Sequence, residues 1–259
     1  MAKTFLIALD AGHGMNTPGK RCLKALDPYE TREWFLNDRV SRFIAERAAM
    51  YEGFKTIRVD DPTGATDVSL TERCNRANAA GADLYLSNHH NAGINGGSGG
   101  GVVAFCMRGA TKAKVWREEL YKAVVSAGGL RGNRSAPVQE KNYDVLVKSD
   151  MSAVLIEYGF MDSTVDVPVI LDEGYAKAVG FAVADCIAAR EGLTAKESNV
   201  EEQEQEMKKF NTIEQIPDYG KATIQKLVDA GALQGTGEGL AVSEDMLRIL
   251  AILDRMGKL

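Results

Sequence analysis

Thr4 to Gly14, TFLIALDAGHG, runs from large apolar side chains straight into a histidine held between two glycines. The run Thr4 to Leu9 has the length and composition of a buried strand, and the glycines behind it predict a sharp turn at the strand's carboxyl end. Outward from it follow a helix-period segment about Arg32 to Met50, an apolar run Phe54 to Val59, a helix about Leu70 to Ala80 and a third run Ala82 to Leu86. Strand, helix, strand, helix, strand in that order predicts parallel pairing through helical crossovers. Gly101 to Met107 then reads as a strand, Lys112 to Ser126 as a helix, Tyr143 to Val147 and Ala153 to Tyr158 as strands, and Gly174 to Arg190 as a closing helix. The expected fold class is α/β, a mostly parallel twisted sheet covered by helices on both faces, filling residues 1–192.

Composition changes after Leu193. The stretch AKESNVEEQEQEMKK, Ala195 to Lys209, is charged and almost free of large apolar residues, which predicts a linker over 193–209. Beyond it, Pro217 to Ala230 followed by Gly231 reads as one helix, and Ser243, Glu244 and Asp245 open a second that ends at Gly257. Residues 210–259 are therefore expected to form a small all-α hairpin domain. Ile224, Leu227 and Val228 on one helix face Met246, Leu247, Ile249, Leu250, Ile252, Leu253 and Met256 on the other, more apolar surface than so short a segment buries alone. Docking on the first domain, a homo-oligomer through these helices, or a bound polymer would each cover it. Met207 offers an internal start for a free module.

A net charge of −5 without a Lys/Arg run argues against a nucleic-acid partner. No apolar run has the length of a membrane span, and Met1 to Asp10 lacks the basic head and cleavage site of a signal peptide, so synthesis in the cytoplasm is expected. Cys22, Cys74, Cys106 and Cys186 are scattered without a CxxC spacing, as reduced thiols would be.

All three histidines fall at two places, His13 in LDAGHG and His89 and His90 in YLSNHHNA, each just after an apolar run. Carboxyl ends of parallel strands line the crevice where ligands bind, so the two places are expected to converge. Glu157, at the end of AVLIEYGF, adds a carboxylate whose burial is costly unless it is paired, metal-bound or facing a cleft. An ion pair to Arg131 or Arg134 is the plainer account of it. Two imidazoles and a carboxylate suit a tetrahedral Zn2+ with one open position. The further ligand is expected from Glu33 or Glu30, with Glu33 favoured because Asn37, one helical turn on, can hydrogen-bond to it.

Five blocks, AGHG at Ala11 to Gly14, Glu33-Trp-Phe-Leu-Asn37, Leu70-x-x-Arg73 with Ala77-Asn78, SNHHNA at Ser87 to Ala92 and VLIEYGF at Val154 to Phe160, together resemble the zinc-dependent N-acetylmuramoyl-L-alanine amidases of the type 3 amidase family. The resemblance runs from about Lys3 to Ala189. It implies zinc ligands His13, Glu33 and His89, Glu157 as catalytic acid/base, and hydrolysis of the amide joining N-acetylmuramic acid to L-alanine in peptidoglycan. It leaves His90, on the opposite face of a strand, as a surface or supporting imidazole, and makes Asn91 a substrate or supporting contact. The glycine-rich stretch Gly93 to Gly101 is followed by a strand rather than by GK[ST] and a helix, which excludes a phosphate cradle and leaves a mobile flap or a connector. A zinc peptidase cutting the stem peptide is the nearest rival, though HExxH is absent and Asn16 stands where a His-x-x-Glu pair needs its carboxylate. A non-catalytic wall-binding protein is the rival of another class. A wall substrate without a leader fits an endolysin of a phage or prophage of a Gram-positive host, released to act on the wall, with an exported autolysin as the alternative. The tail faintly resembles lysin tail segments and S-layer-homology-like modules, which predicts a cell-wall polymer as its ligand.

Overall fold

The three leading apolar runs become neighbouring parallel strands, β1 (Phe5–Ala11), β2 (Phe54–Arg58) and β3 (Leu84–Asn91), in a computed structural model that describes residues 4–131, 136–196, 209–235 and 239–259. The chain forms two compact units, Met1–Lys196 and Glu197–Leu259. Arg134, Met207 and residues 197–208 of the expected linker lie outside the described residues. Residues 194 and 196 belong to the first unit, where Glu52 N donates to Thr194 O and Lys196 N to Met50 O.

The first unit adds β4 (Val103–Cys106), β5 (Val138–Glu140) and β6 (Ser152–Phe160), giving the sheet order β2-β1-β3-β6-β4-β5. β6 runs parallel to β3, whereas β4 runs antiparallel to β6. The 92–102 connection carries no helix to return the chain to the opposite edge of the sheet, so β4 starts at the carboxyl edge and runs back. Strand alternation sends Leu84, Leu86, Val154 and Ile156 to one face, under α1 (Glu33–Ala48), α3 (Thr111–Gly128) and α6 (Glu173–Glu191). Tyr85, Ala153 and Leu155 go to the other face, under α2 (Leu70–Ala79) and α4 (Asp144–Val147). A short helix α5 (Val167–Ile170) precedes α6.

The Tyr143 to Val147 run, expected as a strand, is a single helical turn. Leu146 N and Val147 N both donate to Tyr143 O, and Lys148 pairs with Asp144 one turn back at 2.7 Å. Val145 and Leu146 are buried there, and so short an apolar run carries no periodicity to separate helix from strand. β5, with one apolar residue in three, escaped the sequence reading for the same want of pattern.

The second unit is not purely helical. β7 (Lys209–Phe210) and β8 (Val242–Ser243) form an antiparallel ribbon beside α7 (Asp218–Asp229) and α8 (Glu244–Arg255). Its core is Phe210, Ile216, Ile224, Val242 and Leu247, while Met246, Ile249 and Met256 stay exposed. A Cβ at Gly220 would lie 2.2 Å from the Leu247 side chain, so glycine is what lets α7 approach α8.

In the first unit α6 meets α1 at Gly180, where an added Cβ would lie 2.7 Å from Phe43 Cβ and 3.1 Å from Val40 O. Helix propensity favours alanine over glycine by about 1 kcal/mol. Overpacking against backbone costs about 1–3 kcal/mol and outweighs it. Gly180→Ala is therefore expected to lower the midpoint of thermal unfolding, followed by circular dichroism; a higher midpoint would mean that α1 shifts without cost.

Candidate metal centre

His13 sits in the loop behind β1 with φ 69°, a left-handed conformation that costs a non-glycine residue about 1–3 kcal/mol unless its surroundings enforce it. Arg73 of α2 enforces it. Its guanidinium, buried with Asp10, donates to Asp10 Oδ1 (2.5 Å), Ala11 O (2.8 Å), His13 O (2.8 Å), Val68 O (2.7 Å) and Asp67 Oδ1 (3.0 Å). Asp10 also accepts from Tyr85 and Ser87, so neither buried charge is left uncompensated. Gly12 has to be glycine, since a Cβ there would lie 2.0 Å from the His89 ring.

Glu33 is the first residue of α1, and the chain before it is tied down. Arg32 donates to Met15 O at 2.5 Å and Thr17 O at 3.0 Å, and Glu33 N donates to Lys20 O at 3.1 Å. Asn37, expected to hold Glu33, instead donates to Gly12 O at 3.1 Å and turns its Oδ1 to His90 Nδ1 at 2.8 Å. His90 is therefore no surface imidazole. It is buried, and burial pushes its pKa down to about 3, so it stays neutral and donates Nδ1–H to Asn37. Ser41 Oγ, Asn88 and the Tyr158 hydroxyl extend this buried polar chain across β3 to β6. The helix is thereby keyed to the strands that carry the other site residues.

These constraints bring His13 Nε2 to 3.4 Å and His89 Nδ1 to 3.0 Å from Glu33 Oε1, with the two rings perpendicular at a centroid distance of 5.0 Å. One ligand atom from each of the three residues lies within 4.8 Å of the others. Burial alone would raise the Glu33 pKa, but hydrogen bonds and charge from both imidazoles hold it far below the usual carboxylate range. Burial likewise works against a charged His89, and the Glu33 carboxylate outweighs it, raising the His89 pKa. Two nitrogens and an anionic oxygen converging around one point, with Glu33 Oε2 buried and lacking a hydrogen-bond partner, is a donor set that suits a divalent cation. Glu30 stands elsewhere, paired with Arg21 at 3.2 Å and Lys24 at 4.0 Å.

Glu157 on β6 pairs in register with His89 on β3, so both side chains leave the sheet on the same face at its carboxyl end. Its Oε2 is shut from solvent without a hydrogen-bond partner. Burial pushes its pKa up to about 7; the charges of His89 and Lys20 oppose the rise and Glu33 adds to it. No arginine among the described residues pairs with it, and Arg131 lines a separate cavity of about 510 Å³ beside the glycine loop. A cavity of about 420 Å³ opens over the cluster, walled by His13, Lys20, Leu70, His89, Tyr143 and Glu157 among others. A second of about 380 Å³ adjoins it at His13, Leu70 and His89, toward Asp67 and Ser69. Asn91 stands apart from both, its Oδ1 accepting from Ala92 N.

The glycine-rich stretch is a fastened connector. Asp162 Oδ2 accepts from the backbone N–H groups of Gly93, Ile94 and Asn95, and Asp166 Oδ2 accepts from Gly101 N at 2.6 Å. The cysteines are free thiols, and burial raises the pKa of each. Sequence reading missed Lys20 and Tyr143 as cleft walls because neither follows an apolar run, and it assigned no task to Arg73, whose partners are carbonyls that no side-chain pattern reveals.

Residues 7–189 match the Amidase_3 family, described as N-acetylmuramoyl-L-alanine amidase. The N-acetylmuramoyl-L-alanine amidase CwlM of Bacillus licheniformis is 35% identical over 129 residues, 49% of this chain and 47% of that protein. A sporulation-specific N-acetylmuramoyl-L-alanine amidase of Bacillus subtilis (strain 168) is 32% identical over 168 residues, 64% of this chain and 59% of that protein. The chain thus spans about half the length of the curated relatives it matches. The crystal structure of an N-acetylmuramoyl-L-alanine amidase from Clostridium difficile 630 superposes with a TM-score of 0.65 at 25% identity, covering 73% of this chain and 97% of that one.

Glu33→Ala removes the oxygen that both imidazoles address and is expected to reduce bound divalent metal to background in elemental analysis, whereas Glu30→Ala should leave it at the wild-type level. Equal metal in the two variants would contradict the assignment.

Proposed function

The chain belongs to the Amidase_3 family of N-acetylmuramoyl-L-alanine amidases, and from that premise we propose that it hydrolyses the amide between N-acetylmuramic acid and L-alanine in peptidoglycan, with a resident Zn2+ and with Glu157 as general acid/base. The observation that carries this reading is the unpartnered Glu157 carboxylate set in register beside His89, facing a cleft that holds the His13–Glu33–His89 cluster.

An amide resists hydrolysis because its carbonyl is weakly electrophilic and its amine leaves poorly. A Zn2+ held by His13, Glu33 and His89 would supply Lewis acidity, polarising the carbonyl and making water more acidic. Glu157 addresses the leaving group. A carboxyl whose pKa burial raises both accepts a proton from attacking water and returns it to the departing alanine nitrogen. Leu70, Tyr143, Val145 and Leu155 wall the cleft with apolar surface, which strengthens charge interactions within it.

A peptidase acting on the stem peptide would use the same groups, and the fragments decide between them. Digestion of purified peptidoglycan is expected to free alanine amino groups while glycan strands and stem peptides stay intact; an internal stem-peptide cut overturns the substrate assignment. For the second unit the same reading proposes binding to a wall polymer, with Met246, Ile249 and Met256 left exposed for contact. A chain ending at Lys196 should then sediment with purified walls less than the full chain does.

Glu157→Gln should keep its zinc and lose turnover by about 10²–10⁴-fold, the range for a positioned acid/base. The base must be ionised, so kcat should fall with decreasing pH through the Glu157 pKa. A nearby dication favours the carboxylate, which places this limb at or below about 7. A pH profile of Glu157→Gln that keeps the limb at its wild-type height refutes the role.

A further inference from the structure

Among the residues lining the cavity over His13, His89 and Glu157, Lys20 is the one lysine or arginine. Its backbone is fixed, with Lys20 O accepting from Glu33 N at 3.1 Å and the next residue, Arg21, bridged to Arg32. Its side chain is 43% exposed against 1% for Glu33, and it reaches from that anchored backbone to the cleft wall. Nζ pairs with Glu33 Oε2 at 3.7 Å, beyond hydrogen-bond length, and Glu33 Oε2 has no hydrogen-bond partner. Lys20 thus holds Glu33 by a long ion pair only and lines the cleft together with Glu157.

We propose that Lys20 is a catalytic residue whose ammonium donates a hydrogen bond to the scissile carbonyl oxygen as negative charge gathers there. The inference rests on the amide-hydrolase reading above. In the step, the oxygen of water bonds to the carbonyl carbon, the C=O π pair moves onto the carbonyl oxygen, and the water's proton passes to Glu157. Collapse restores the C=O, breaks the C–N bond and sends the Glu157 proton to the alanine nitrogen. Lys20 transfers no proton in the step and meets the carbonyl oxygen when the charge on that oxygen is greatest, so it lowers the barrier rather than tightening substrate binding.

The test uses the full chain with Lys20→Met and Lys20→Arg. Measured quantities are alanine amino groups released from purified peptidoglycan across pH, bound zinc, and the Kd of a phosphinate isostere of the muramoyl–alanine amide, a tetrahedral anion that is not turned over. Lys20→Met is expected to lower plateau kcat by about 10²–10³-fold, as loss of an oxyanion donor does. KM and zinc should hold, isostere binding should weaken by a similar factor, and Lys20→Arg should recover most of the loss. Unchanged plateau kcat and isostere Kd overturn the proposal, as does a rise in KM alone, which would make Lys20 a substrate anchor. Loss of zinc would make it a support for Glu33 only. A defect confined to the acid limb would mean that it acts through the pKa of Glu157, which faces His89 of β3, Glu33 of α1, Lys20 and Tyr143 ahead of α4. A wild-type chain that frees no alanine amino groups sinks the substrate reading and this inference together; a wild-type chain that frees them beside an equally active Lys20→Met sinks the inference alone.

Discussion

Arg73, closed off from solvent, donates to Asp10, to the carbonyls of Ala11, His13 and Val68, and to Asp67, and the position of the first imidazole depends on that set of bonds. A left-handed His13 is strained by about 1–3 kcal/mol. Hydrogen bonds from a charged donor contribute about 1.5–3 kcal/mol each, enough to hold one such residue in place. Asp10 makes the guanidinium affordable by neutralising it inside the sheet. A strand residue, a helix residue and a loop thus share one buried ion pair, and the loop's geometry follows from the packing of α2 on β1.

The second constraint is the buried polar chain from Tyr158 through Asn88 and Ser41, with Asn37 and His90 continuing it toward Gly12. Apolar packing alone would let α1 slide along the sheet by fractions of a turn, since one methyl resembles another. Directional bonds do not allow that. They fix the start of α1 over the carboxyl ends of β1 and β3, which delivers Glu33 to the two imidazoles. The two site carboxylates then separate in behaviour: Glu33, between imidazoles, is held ionised, and Glu157, whose Oε2 is shut from solvent without a hydrogen bond, has its pKa raised. Environments that push two like groups apart suit one for ligand and one for proton carrier.

Much of this was legible in residue order. The runs Thr4 to Leu9, Phe54 to Val59 and Ala82 to Leu86 lie where β1, β2 and β3 lie, because an apolar run bounded by turn residues has few other uses. His13 and His89 stood out as histidines just behind apolar runs, whereas Glu33 was favoured through an Asn37 bond that the fold does not make and through the family resemblance; the three are brought together in space. Tyr143 to Val147 failed because four apolar residues around one aspartate carry no period, and the turn is decided by Asp144, Lys148 and the pocket that takes Val145 and Leu146. The β7–β8 ribbon failed because a two-residue strand has no pattern at all.

The sequence by itself determined the class of fold, the order of its elements and the short set of residues from which a site could be built, since these depend on local periodicity and on the cost of placing His and Glu at the ends of apolar strands. Only the tertiary structure decided that Asn37 serves His90 and Gly12 rather than Glu33, that His90 is buried and neutral, that Arg73 holds His13, and that Lys20 lines the cleft beside Glu157. Each of these is a contact between residues far apart along the chain, and a hydrogen bond's partner is chosen by distance and angle, which exist only after the chain has packed.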